Sequence, residues 1–241
     1  MLNRVRIFCN KEMRTRFNTS RCSPAPDDLV LRKLHRFRVL AGLPLKLIVG
    51  LGNPGREYAR TRHNAGWWFV DELAARSHGS WRHEARQHTD LARVAIADTE
   101  LWLLKPTAFM NRSGVPVAAV ANFYRITPAE ILVVHDDIDL PPGTARLKQG
   151  GGHGGHNGLR DVIAHVGAEF WRLRLGVGHP GSKKLVLDAV LDRPTAAEQQ
   201  AIEQAMSRAL EVMPELLRSG AQKAMLSLHS RNADDADFED S

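Results

Sequence analysis

Residues 46–66 read KLIVGLGNPGREYARTRHNAG. Lys46 to Gly50 is a short apolar run that stops at a glycine, the pattern of a buried strand. Asn64 stands where a helix would be capped, and the helix runs on through Trp67, Trp68, Val70, Leu73 and Ala74 to stop near Gly79. Between them lies a glycine-rich turn. It is a poor dinucleotide loop, because Asn53-Pro54 replaces the helix start that GxGxxG requires. Strand, polar loop and helix in this order predict an α/β unit.

The same alternation continues along the chain. Leu91 to Ala97 and Leu101 to Leu104 read as strands joined by a hairpin across Asp98-Thr99. Ser113 to Tyr124 is helical in pattern, with Pro116 early enough to sit in a first turn. Ile131 to Val134 is a strand, Pro141-Pro142-Gly143 a turn, Ala145 to Lys148 a strand, Gly155 to Val166 a helix and Leu173 to Val177 a strand. Thr195 opens a long helix to about Leu217, and Glu198 completes a capping-box signature. Strands interleaved with helices predict one α/β domain, a mostly parallel or mixed sheet with helices on both faces.

Of the 241 residues, 43% are apolar and 25% charged, with a net charge of +6. No apolar run approaches the ~20 residues of a membrane helix. The charge is uneven. Residues 1–38 hold ten basic residues against three acidic, whereas residues 231–241 carry one base against five acids. Both cysteines, Cys9 and Cys22, lie in the basic segment, so the body is no disulfide scaffold. Residues 1–44 are read as a disordered extension or an over-called translation start, with an Arg-rich transit peptide as the alternative. Residues 45–230 form the folded body, and 231–241 an acidic, disordered tail. The expected compartment is the cytoplasm.

Four polar clusters interrupt the core pattern, each after a strand, where open α/β sheets gather their ligand sites. The first ends in His63, just before a helix whose N-terminus disfavours imidazolium and so keeps the ring able to accept a proton. The second, Lys105 to Gly114, holds Met110 and Asn111. The third, His135-Asp136-Asp137-Ile138-Asp139, could bind Mg²⁺, orient a histidine or solvate a loop. The fourth is Gly150-Gly-Gly-His-Gly-Gly-His-Asn-Gly158, whose glycines let backbone approach a ligand and whose His153 and His156 lack a third zinc ligand at known spacing.

GLGNPGREYARTRHNAG, KPTAFMNRSG, VVHDDIDLPPG, GGGHGGHNGLRD and RLRLGVGHPG, in that order, closely resemble bacterial-type peptidyl-tRNA hydrolase over about Leu45 to Leu228. The resemblance implies hydrolysis of the ester that joins a peptide to the 3′-terminal ribose of tRNA. It also implies a monomer with a mixed, twisted sheet, no cofactor, no metal and no membrane partner. Carried onto this chain, His63 matches the catalytic histidine and Asp136 the acid that hydrogen-bonds it. Asn53, Asn111 and Asn157 match the amides of the peptide and ester site, with Tyr58, Met110 and His156 in the same pocket. Lys148, Arg174 and Lys183 match positions associated with tRNA, and Arg146 is a further candidate.

The chemistry fits those residue types. An activated water can cleave the ester directly, and no GxSxG nucleophile elbow is present. His63 would act as general base and Asp136 would fix its tautomer. Two other classes are alternatives: a metal-dependent hydrolase or phosphotransferase using Asp136, Asp137, Asp139 and the histidines, and a non-catalytic RNA-binding relative, which would lack His63 or Asp136.

Overall fold

The computed structural model describes residues 43–179, 181 and 186–234. Expectations for residues 1–42, Lys183 and residues 235–241 lie outside the described residues. Leu43, expected in the extension, is bound to the body through its N–H to the Leu216 carbonyl.

Strand β1, Leu47–Gly50, is buried along its whole length. It forms parallel ladders with β4 (Thr99–Pro106) on one side and β5 (Ile131–Asp137) on the other. A strand buried on both faces has to be apolar throughout, which is why LIVG carries no polar alternation. β5 pairs in parallel with β7 (Trp171–Gly176), while β6 (Ala145–Gln149) pairs antiparallel with β7 at one edge. At the other edge β3 (Thr89–Ile96) and the short β2 (Arg82–Glu84) are antiparallel. The seven-stranded sheet has the order β2-β3-β4-β1-β5-β7-β6 and is mixed, as expected. The hairpin turn is Ala97-Asp98, one residue earlier than expected; both residues take left-handed φ, and Ile96 pairs with Thr99.

Helices cover both faces. Ile48, Leu132 and Val134 face the layer built from α1 (Ala65–Arg76), α5 (Ala196–Ser219) and α6 (Ala221–Asp234). Leu47, Val49 and Val133 face α2 (Gly114–Phe123) and α3 (Asn157–Val166). A short α4, Val186–Leu191, precedes α5. The sequence pattern did not reveal β2, α4 or α6. The last of these runs past residue 230, where the acidic tail was expected to begin. Thr195 and Glu198 do form the capping box of α5.

Helix α1 crosses β1 at close range. A Cβ on Gly66 would be driven into the Val134 carbonyl and the Leu51 backbone. This approach brings the residues ahead of α1 to the end of β5. Gly66→Ala is therefore expected to cost about 1–3 kcal/mol, read as a lower urea midpoint with unchanged slope.

Candidate active site

The apolar run of β5 ends in two polar residues that remain buried, His135 and Asp136. Asp136 is 3% exposed, so its carboxylate has to find donors within the protein. It finds two. His63, 8% exposed, lies in a one-turn 3-10 helix, Arg62–Asn64, and its Nδ1 sits 2.9 Å from both carboxylate oxygens. His156 Nε2 reaches Oδ1 at 3.0 Å.

The second ring settles its own tautomer. His156 is the N-cap of α3, and its Nδ1 accepts from the N–H groups of Gly158 (3.1 Å) and Leu159 (3.2 Å). The proton therefore resides on Nε2 and is donated to Asp136. His63 faces the same carboxylate through Nδ1, which donates, leaving the Nε2 lone pair available. Helix α3 was expected from Gly155; it begins at Asn157 because the histidine supplies the cap.

Burial opposes charge on His63, but the Asp136 carboxylate, by its charge and its hydrogen bond, more than offsets this and holds the ring above the ordinary histidine pKa. Burial also works against the Asp136 anion, and the two histidines overcome it, keeping the carboxyl well below the usual range. His135 donates Nδ1–H to the Asp136 carbonyl at 2.7 Å. Its burial, together with the neighbouring His156, pushes its pKa down to about 4, so this ring stays neutral.

Asn64 was read as a helix cap, and it stands at the cap position without making the side-chain bond. Its amide instead grips the backbone of Asn53: Oδ1 accepts from the Asn53 N–H at 2.9 Å and Nδ2 donates to the Asn53 carbonyl at 3.0 Å. Asn53 Oδ1 in turn accepts from the Met110 N–H at 2.8 Å. Met110 lies against Gly158, at the start of the helix that carries Asn157. Clusters distant in sequence are thus tied in a chain, 64 to 53 to 110 to 158. Asn111 and Asn157 are exposed, and Asn157 Oδ1 accepts from Arg160 at 2.8 Å. Tyr58 is half-buried, edge-on to the exposed Phe109.

A cavity of about 870 Å³ opens over the histidines, lined among others by His63, Asp136, His156, Asn157, Lys148 and Arg174. Asn53, Tyr58, Met110 and Asn111 do not line it, and Asn53 and Met110 are buried.

The fourth polar cluster departs from the expected placement. β6 runs against β7, so the glycine-rich loop leaves the sheet at the end away from Asp136, where the Gly150 N–H bonds the Phe170 carbonyl. It then returns to deliver His156. Arg172, 3% exposed, steadies that return by donating to the carbonyls of Gly151 and Gly152. The sequence reading passed over Arg172, although the alternation in Trp171–Gly176 puts it on the same face as Arg174. In the β6–β7 ladder Arg146 lies opposite Arg174 and Lys148 opposite Arg172, so four cations share one face. Asp137 accepts from Arg174 Nε at 2.6 Å.

A polar cavity at strand ends, with a buried carboxylate holding a histidine whose second nitrogen is available, defines an α/β enzyme equipped to move a proton. Sequence comparison makes the class specific. The peptidyl-tRNA hydrolase family profile matches residues 47–236. Peptidyl-tRNA hydrolase of Neisseria meningitidis serogroup A is 50% identical over 188 residues, covering 78% of this chain and 98% of that protein. The Cupriavidus pinatubonensis peptidyl-tRNA hydrolase is 52% identical over 195 residues, covering 77% of this chain and 98% of its own. The crystal structure of the Acinetobacter baumannii peptidyl-tRNA hydrolase superposes with a TM-score of 0.76 at 45% identity, over 78% of this chain and 95% of that one. The chain belongs to the peptidyl-tRNA hydrolase family of ester hydrolases.

A base must be neutral to accept a proton, so kcat/KM should rise with pH through a midpoint above the ordinary histidine value of about 6.5. Asp136→Asn removes the charge that raises His63 and should move that midpoint to lower pH, while also lowering the plateau. A pH–rate profile of both proteins checks the sign.

Proposed function

We propose that the chain cleaves the ester between a peptide and the 3′-terminal ribose of peptidyl-tRNA with His63 as general base. The observation that carries this reading is the His63 Nδ1 to Asp136 bond, which leaves Nε2 as the acceptor on a ring that lines the cavity. In the first step Nε2 takes a proton from a water as its oxygen attacks the ester carbonyl. Collapse of the tetrahedral intermediate breaks the bond to the ribose oxygen, which takes the proton back from the imidazolium. The products are a peptide acid and a free 3′-hydroxyl. Asp136 stabilises the imidazolium between the two steps.

Asparagines suit the peptide, because an amide pairs with backbone N–H and C=O whatever the side-chain sequence. Asn53, held by three hydrogen bonds, keeps its Nδ2 donor for this purpose. Asn111 and Asn157 offer exposed amides for the same purpose, with Tyr58 and Met110 assigned to the same pocket. On the neighbouring face Arg146, Lys148 and Arg174 would take tRNA phosphates, with Lys183 assigned to the same task from sequence alone. Arg172 is committed to the loop. The body outside both charged termini has a net charge of only +3, which favours salt-sensitive, reversible binding of a substrate that must leave.

The donor set of His63, Asp136 and His156 converges within 4.8 Å, close enough to hold a metal ion. Its hydrogen bonding favours another use. His156 Nδ1 already accepts two N–H groups, so the ring would have to abandon the α3 cap to turn an Nε2 lone pair towards a metal. We therefore assign the centre metal-free chemistry. No helix among the described residues is long and apolar enough to cross a membrane, and the protein is assigned to the cytoplasm as a monomer.

His63→Ala is expected to lower kcat by ~10²-fold or more with tRNA affinity preserved. Lys148→Ala should do the reverse, raising KM and flattening its dependence on salt at unchanged kcat. Steady-state assays on peptidyl-tRNA at two salt concentrations separate the two. Exhaustive dialysis against EDTA, with the tRNA kept folded, should leave turnover intact; loss restored by Zn²⁺ or Mg²⁺ would overturn the metal-free assignment.

A further inference from the structure

His63 has two neighbours in its 3-10 turn, and both are tied down. Asn64 binds Asn53. Arg62 binds a different part of the molecule. Its Nη1 donates to the carbonyls of Ala189 (3.0 Å), Arg193 (3.2 Å) and Asp192 (3.4 Å), at and just beyond the end of α4. Its own backbone N–H bonds the Asp192 carbonyl at 3.2 Å. The last carbonyls of a helix have no partners within it and carry its negative end, so a guanidinium there is doubly favoured.

The same side chain makes a second attachment. Arg62 Nη2 lies 2.7 Å from Glu198 Oε2. That oxygen also accepts from the Thr195 N–H (2.7 Å) and hydroxyl (2.9 Å), closing the cap of α5. One guanidinium, only 12% exposed, therefore joins the His63 turn to the end of α4 and the start of α5. Next to Ala189 is Val190, which is buried and lines the same cavity as His63. The ion pair is neither in the cavity nor in contact with Asp136, and the chemistry proposed above does not use it.

We infer that Arg62 is a positioning residue: it holds the His63 turn and the Val190 wall as one unit, and so sets the space in which the ester meets the base. The inference rests on the reading of His63 as the base of an ester hydrolase. Lysine cannot substitute, because a single ammonium cannot serve three carbonyls and a carboxylate lying on two sides of a planar fork.

The test uses the full chain and peptidyl-tRNA. Arg62→Lys should lower kcat by about 10-fold, since misplacement of a wall or a base by a fraction of an ångström is enough for this. The acid limb of the pH profile should stay in place, because the His63–Asp136 bond is intact. Glu198→Gln, which keeps an acceptor for the Thr195 cap but loses the charge, should lower kcat in the same sense by a smaller factor. Val190→Ala should lower kcat by itself, and adding Arg62→Lys to it should cost under about 2-fold more, because both act through one wall.

A purely structural role predicts a different result: a lower Tm for Arg62→Lys, with kcat and KM unchanged well below it. That outcome, or fully multiplicative effects of Arg62→Lys and Val190→Ala, would overturn the inference. Should Arg62→Lys fail to fold, Glu198→Gln and its combination with Val190→Ala decide by the same criteria. A wild-type chain inactive on peptidyl-tRNA would instead overturn the hydrolase reading and take this inference with it.

Discussion

A carboxylate removed from water at the end of a central strand needs hydrogen-bond donors, and much of this molecule is arranged to bring them to Asp136. One comes from the turn before α1, the other from the cap of α3. The segments are 73 and 20 residues away in sequence. Leaving a buried acceptor without one of its donors typically costs about 1–3 kcal/mol, and more when the acceptor is charged, so the arrangement is self-enforcing: α1, β5 and α3 are each placed by a group that cannot be left unpaired. The close crossing of α1 at Gly66 belongs to the same constraint, since a larger residue would push His63 away from the carboxylate.

The two histidines share one carboxylate but have unlike roles. His156 commits both nitrogens, one to the helix cap and one to Asp136, and is fixed. His63 commits one and keeps the other. Polar groups in the surroundings are tied down in the same way. Asn64 spends its whole amide on the backbone of Asn53, and Arg172 spends its two terminal nitrogens on the glycine-rich loop. Groups held in this way keep their geometry before substrate arrives, which is where electrostatic preorganisation gains its advantage.

The antiparallel edge strand gathers the cations that the proposed function assigns to tRNA phosphates. Because β6 runs against β7, alternate residues of the two strands bring Arg146, Lys148, Arg172 and Arg174 to one face. The glycine-rich loop crosses back beside them to reach Asp136, so the cationic face and the histidines adjoin without sharing residues. Arg174 is moderated by Asp137 and Arg172 by the loop carbonyls. The face therefore presents fewer free charges than its composition implies.

Local patterning was enough for much of the fold. The apolar run before Gly50, the Thr195–Glu198 capping box and the strand–helix alternation identified the main elements, because each depends on residues within a few positions of one another. The five motifs also identified the family, and His63, Asp136 and His156, named from sequence, meet around one carboxylate. The short β2 and α4, and the longer α6, were missed, since they take their stability from packing rather than from local signals. The function of Asn64 was hidden for a related reason: an asparagine before a helix is consistent with a cap, and only the position of Asn53 in space makes the backbone clasp the better use of its amide. Arg172 and Arg62 were unremarkable cations until the fold placed carbonyls around them. Residue types and their order thus determined which groups would be present and which strands would carry them. Tertiary structure decided which tautomer each histidine holds, which face the cations share and how the glycine loop returns to Asp136, because those depend on hydrogen bonds between segments that only folding brings together.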